Sequence, residues 1–137
     1  MKAVVYSTRP FEREYLAKAN SKKHDITLIS NALGSDTIGY ATGKKAIIVY
    51  STDNVSASII AQLAMLGTKF IISRLANTDF IDQEAASAYQ IVVFGMTAPP
   101  PTTAEEHYGN VPSPQLIEVS LQENANQIVN TLDAVSR

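Results

Sequence analysis

The chain alternates between two hydrophobic patterns. Short runs dense in apolar residues, suited to strands covered on both faces, are separated by longer segments whose apolar positions recur every three or four residues. The runs are residues 2–7, Asp25–Ser30, Ala46–Tyr50, residues 68–74 and Gln90–Met96. Between them, Phe11, Tyr15 and Ala19 predict a helix over residues 10–23, with Pro10 suited to its first position. Residues 35–43 read as a short helix or turn ending near Gly43. Val55, Ile59, Leu63 and Leu66 form the next apolar stripe, with Asp53 as its cap and Gly67 at its end. Residues 82–89 predict a short helix capped by Asp82.

Five strands therefore alternate with four helical segments, which predicts a parallel sheet between layers of helix. Right-handed crossovers then narrow the topology to an α/β, flavodoxin-like, doubly wound five-stranded parallel sheet with helices on both faces. The pattern breaks at Thr97-Ala98-Pro99-Pro100-Pro101, because three prolines suit neither a helix interior nor a central strand. A C-terminal helix follows: Ser120 and Glu123 have capping-box spacing, and Leu121, Ala125, Ile128, Leu132 and Val135 share one face. The expected organisation is one domain over residues 1–137. It divides into an α/β core at 1–96, a proline-rich irregular segment at 97–119 and the C-terminal helix at 120–136.

Composition removes several function classes. A length of 137 residues fits a single domain with a sizeable core, and 45% hydrophobic with 18% charged residues is ordinary for a globular protein. The formal net charge of -2 gives no case for nucleic acid or an anionic membrane as partner. No apolar run approaches the roughly 20 residues that span a bilayer. The N-terminal run reads as a first strand rather than a secretory signal, and the chain has no cysteine, so a cytoplasmic setting is expected.

Candidate chemistry gathers at one edge. In open α/β sheets, ligands sit beyond the carboxyl ends of the strands. For the predicted topology that edge holds Ser7-Thr8-Arg9, Tyr50-Ser51-Thr52-Asp53, Arg74–Asp79 and Met96-Thr97. Arg9, Thr52, Arg74, Ala76, Asn77 and Thr78 are the candidate ligands for a small carboxylate. Each has a blander reading. Arg74 could bond loop carbonyls or Asp79, Arg9 could be a solvated first-turn residue, and Asp53 and Asp82 read first as helix caps. His24, beside Lys22 and Lys23, reads as a surface residue. His107 follows Glu105 and Glu106, but no second histidine is placed to share a metal, so neither a metal nor a catalytic role is assigned.

The segment Arg74-Leu75-Ala76-Asn77-Thr78-Asp79-Phe80-Ile81-Asp82 resembles the strand-to-helix loop in the substrate domain of the D-isomer-specific 2-hydroxyacid dehydrogenases, the D-lactate dehydrogenases above all. That loop reads Arg-x-Ala-Gly-x-Asn/Asp-x-Val/Ile-Asp. Arg74, Ala76, Asp79, Ile81 and Asp82 match it, and Asn77 stands where the family has glycine. The resemblance extends over residues 1–108, through Met1–Thr8, Gly43–Val49, Asp53-Asn54-Val55 and Ala104-Glu105-Glu106-His107. It implies that backbone amides of the loop help hold a substrate carboxylate. It also implies that residues 122–135 are the helix with which family chains return from the nucleotide domain.

The resemblance covers only a substrate domain. No Gly-x-Gly-x-x-Gly occurs in the sequence, so no pyrophosphate-binding loop is expected and no cofactor is assigned. NAD is expected only where a partner chain supplies its domain. The first expectation is a stand-alone relative, not a dehydrogenase by itself, that binds a small 2-hydroxy or 2-oxo acid. The alternative is an interaction module, a homodimer or the companion of a separate nucleotide-binding chain, with the proline-rich segment and last helix as its contacts. Two other uses of this topology fit poorly. Arg9-Pro10-Phe11 lacks the small residues of a flavin phosphate loop, and Ser7-Thr8 lacks the acidic pair of a receiver domain.

Overall fold

A computed structural model describes residues 1–96 and 114–136, with side chains at 1–96 and 121–136. Five parallel strands, β1 (Lys2–Val5), β2 (Asp25–Leu28), β3 (Ala46–Val49), β4 (Phe70–Ser73) and β5 (Val92–Phe94), form one sheet in the order β2-β1-β3-β4-β5. The helices are α1 (Pro10–Asn20), α2 (Ala57–Met65), α3 (Gln83–Ala88) and α4 (Pro114–Val135), with a 3₁₀ turn at Ile38–Ala41. This is the doubly wound topology expected from the alternation of patterns, with its switch in strand order between β1 and β3.

Strand periodicity divides the core. Val4, Ile47 and Ile71 point to the face covered by α2 and α3, where Ile59, Ile60, Leu63 and Ala86 meet them. Ala3, Val5, Ala46, Ile48 and Ile72 point to the other face and pack on Leu16 of α1 and on Ala125, Ile128 and Leu132 of α4. Each fully buried aliphatic side chain contributes about 1.5–3 kcal/mol, so both layers are needed to hold the sheet. Pro10 opens α1 as expected, and Gly67, at φ +103°, turns the chain just after α2.

Several boundaries differ from the sequence pattern, each for a local reason. β1 ends at Val5 because Ser7 takes a left-handed φ of +53°, and β5 begins only at Val92 because Gln90 does so at +59°. α2 begins at Ala57, after Ser56, so Asp53 does not cap it. Val55 instead forms a bridge with Ile81 that pins the α2 approach to the α3 approach. Asp82 does cap α3, accepting the Ala85 N–H at 2.9 Å. α4 begins at Pro114, before the expected residue 120, so Ser120 lies inside it. The triple proline, Glu105, Glu106 and His107 lie outside the described residues.

His24 is not a solvated residue. Its side chain is 6% exposed, and its Nε2 lies 2.7 Å from Asp133 Oδ1, tying the entry of β2 to the end of α4. Among the described residues, no helix is long and apolar enough to cross a membrane, and no group of acidic and histidine side chains is placed to hold a metal.

Candidate functional site

The site is built where β1, β3 and β4 end. Ser7 follows β1 in a conformation that costs a non-glycine residue energy, and three bonds hold it there. Its N–H donates to Asn31 O at 2.9 Å, its carbonyl accepts from Arg74 Nη2 at 2.8 Å, and its hydroxyl donates to Asp53 Oδ1 at 2.6 Å. Asp53 also accepts the N–H of Leu33 at 2.8 Å and of Tyr50 at 2.7 Å. This buried carboxylate is therefore the knot joining β1, the β2 exit and β3 across the switch point, in place of the helix-capping role expected of it. Thr52, exposed above it, donates to the Ser7 hydroxyl at 3.2 Å.

Arg74 is held inward. Its side chain is fully buried, with Nη1 donating to Tyr6 O at 2.9 Å and Nε lying 2.9 Å from Glu12 Oε2. The Nε contact is an ion pair at an angle outside that of a hydrogen bond. Burial pushes the guanidinium below its ordinary value while Glu12 and Asp53 push it back up, and arginine stays charged in either case. Glu12, 3% exposed, also accepts the Arg9 N–H at 3.0 Å, closing the first turn of α1. Of the two readings open for Arg74, this geometry is the structural one, with Glu12 and two β1-end carbonyls as partners rather than Asp79.

Arg9 is the arginine at the surface of this edge. It is half-buried, and its guanidinium lies 4.4 Å from the centroid of the Tyr50 ring and 5.5 Å from that of Phe11. The Arg74 guanidinium lies 5.2 Å from the same Tyr50 ring. Tyr50 thus stands against both cations, one inside the fold and one at its surface.

The loop after β4 sits on the same edge, with Ala76 and Asn77 exposed and Thr78 half-buried. Asn77 does not take the left-handed angle that could replace glycine. Its side chain accepts the Asp79 N–H at 2.8 Å and makes the turn instead. Its neighbours on β5 and α4 shape the loop. Gly95 lets it approach the end of β5 so closely that a Cβ there would lie 2.8 Å from Ala76 O. Asn124 of α4, itself buried, donates to the Arg74 carbonyl at 3.0 Å. Arg9, Thr52, Arg74, Ala76, Asn77 and Thr78 are therefore brought to one edge, but Arg74 faces the interior. Glu12 and Asn124 were not anticipated. Glu12 carried a signal as the acid three residues after Arg9, and Asn124 as a polar residue within an apolar stripe.

The catalytic-domain model of the D-isomer specific 2-hydroxyacid dehydrogenases matches residues 3–136. The chain belongs to that family. A 2-hydroxyacid dehydrogenase homolog of Haemophilus influenzae is 30% identical over 108 residues, covering 78% of this chain and 33% of the relative. The D-lactate dehydrogenase of Escherichia coli (strain K12) is 29% identical over 108 residues, with the same shares. The apo structure of the Escherichia coli D-lactate dehydrogenase superposes with a TM-score of 0.69 at 28% identity, over 78% of this chain and 34% of that one. The chain thus spans about a third of the length of these relatives. The family match runs through α4.

Among the described residues, the carboxyl edge offers no pyrophosphate cradle after β1 or at the start of α3. The turn after β1, where an α/β fold would cradle a pyrophosphate, gives Pro10 with no N–H and the buried carboxylate of Glu12. The N-terminus of α3 is already capped by Asp82.

Proposed function

We propose that this 2-hydroxyacid dehydrogenase domain binds a small 2-oxo or 2-hydroxy carboxylate at the carboxyl edge of its sheet and transfers no hydride unaided. The observation that carries the reading is the placement of Arg9. A cation stacked on Tyr50 stands on the same edge as the exposed residues Ala76 and Asn77. Arg9 would hold the carboxylate, the loop amides would meet the remaining oxygens of the acid, and Arg74 would fix the loop from inside. With no pyrophosphate cradle beside that edge among the described residues, no hydride donor stands against the carbonyl carbon.

A second reading, companion of a separate nucleotide-binding chain, draws on the one-third coverage of the relatives. The described outer face of α4 does not suit it as the contact, because Gln122, Glu123, Asn126 and Asn130 are polar. The exposed apolar side chains Met65, Tyr89 and Val92 lie instead along α2, α3 and β5.

The test is a thermal-shift series with pyruvate, lactate and longer 2-oxo acids, each with and without NADH. An acid at about 100 times its dissociation constant should add roughly 2.7 kcal/mol, a shift of several degrees. Arg9→Ala should remove that shift, at a modest cost in the ligand-free midpoint from the lost contact with Tyr50. No shift with any acid would defeat the carboxylate reading, and a shift with NADH alone that persists in K45Q/K69Q would overturn the statement that this edge seats no dinucleotide.

A further inference from the structure

The opposite edge of the sheet carries a feature that the carboxylate reading does not use. Lys2, Lys45 and Lys69 occupy one rung across three adjacent strands. The register pairs Ala3 with Ala46 and Ala46 with Phe70, which places the three preceding lysines side by side. Backbone bonds also tie these strand entries together: Lys45 N–H donates to Lys2 O at 2.9 Å, and Lys69 N–H donates to Lys45 O at 2.8 Å. Neighbouring strands lie about 4.8 Å apart, and like charges set directly across from one another oppose sheet formation. All three lysines are exposed, and none is ion-paired among the described residues.

These lysines line a groove of about 600 Å³, together with Phe70, Val135 and Ser136. Among the described residues its lining holds no acidic side chain, while exposed Asp25 of β2 stands opposite Lys2 at the far end of the rung. A protein of net charge -2 thus concentrates three positive charges on one concave surface with an apolar wall. Ammonium groups on flexible stems act as point charges that suit phosphate oxygens, and three on adjacent strands match an anion extended over two or more phosphates rather than a single one. Phe70 and Val135 offer apolar surface to whatever the phosphates are attached to.

We propose that this groove binds a small molecule bearing two or more linked phosphates, independently of the carboxylate site at the other edge. Calorimetric titration of the full chain at low ionic strength would use pyrophosphate, ATP and inorganic phosphate as probes. Pyrophosphate and ATP should bind, each more tightly than inorganic phosphate, with affinity falling as salt is added. The double variant K45Q/K69Q should weaken both by about tenfold or more for each lysine removed. Its ligand-free thermal midpoint should hold or rise, because a like-charge repulsion is relieved. Unchanged affinity in the variant, no binding of either probe, or binding of a DNA oligomer in their place would each overturn the proposal. A lower ligand-free midpoint would overturn it too, by showing that the lysines hold the sheet edge together.

Discussion

At the scale of single residues, the site is governed by buried polar groups whose partners lie far away in sequence. Glu12 meets Arg74 across 62 positions, and Ser7 meets Asp53 across 46. Sequence patterns mark residue types and local spacing, so they brought Arg74 and Asp53 to the correct edge. They could not say which way each side chain turns. Arg74 turned inward because burying a guanidinium requires a carboxylate and carbonyls around it, and only α1 and the end of β1 supply them. Tyr6 shows the same logic at a titrating group. Burial, reinforced by the charge of Asp53 and by Tyr40, pushes its hydroxyl up to about 12, and the hydroxyl donates to Thr37 O at 2.9 Å. A tyrosine in the unfolded chain titrates near 10, so between about pH 10 and 12 the folded state binds the proton more tightly. Stability from this group is complete below about pH 10 and falls as pH rises through that window, by roughly 2–3 kcal/mol in all. Tyr6→Phe should cost about 1 kcal/mol at neutral pH and flatten the alkaline slope. Denaturant titrations across the window compare the two proteins, and an unchanged slope in the variant would assign the alkaline loss to other groups.

At the scale of elements, what was legible followed periodicity and what was missed followed contact. All five strands and the helices α1 to α3 stood out as changes between runs and stripes. Their ends did not, because Ser7 and Gln90 leave the strand conformation for reasons set by the neighbouring chain. The loop after β4 is the clearest case. Its motif was visible in residues 74–82, but the element that shapes it from the other side is Gly95, a glycine with no local turn signal. A Cβ at that position would meet Ala76 O at 2.8 Å, Thr78 Cγ2 at 3.2 Å and Leu75 O at 3.3 Å. Two of these are backbone atoms that cannot swing aside, so Gly95→Ala must move the loop away from β5. The Met96 N–H to Leu75 O bond, 3.1 Å long, would stretch with it. A cost of about 1–3 kcal/mol is expected from the overpacking. The amide signals of residues 75–78 should shift in a heteronuclear NMR spectrum while those of β2 stay in place. A spectrum unperturbed at the loop would mean that Gly95 does not set its position.

At the scale of the whole molecule, α4 decides whether the sheet is a stable layer. The helix is separated in sequence from every strand, yet Ala125, Ile128 and Leu132 fill the layer against Val5, Ile48 and Ile72, beside Leu16 of α1. No other described helix than α1 covers that face. Asn124 and Asp133 add two polar ties, one to the loop after β4 and one to the entry of β2, so α4 is fastened at both edges of the sheet. The sequence stripe from Leu121 to Val135 revealed the helix and its apolar face. It did not reveal the partner, because an amphipathic stripe specifies burial without specifying where. The family match extending to residue 136 agrees with a helix that belongs to this layer. Ile128, fully buried at the centre of the contact, is the position at which the dependence is sharpest. Ile128→Ala should cost roughly 2–5 kcal/mol, a large part of the 5–15 kcal/mol typical of a domain. If α4 folds as one unit with the sheet, denaturation followed by far-ultraviolet circular dichroism and by proteolysis within α4 should shift together. If the variant instead loses α4 while the strands persist at the same denaturant midpoint, the helix is an appendage and the sheet is stable without it.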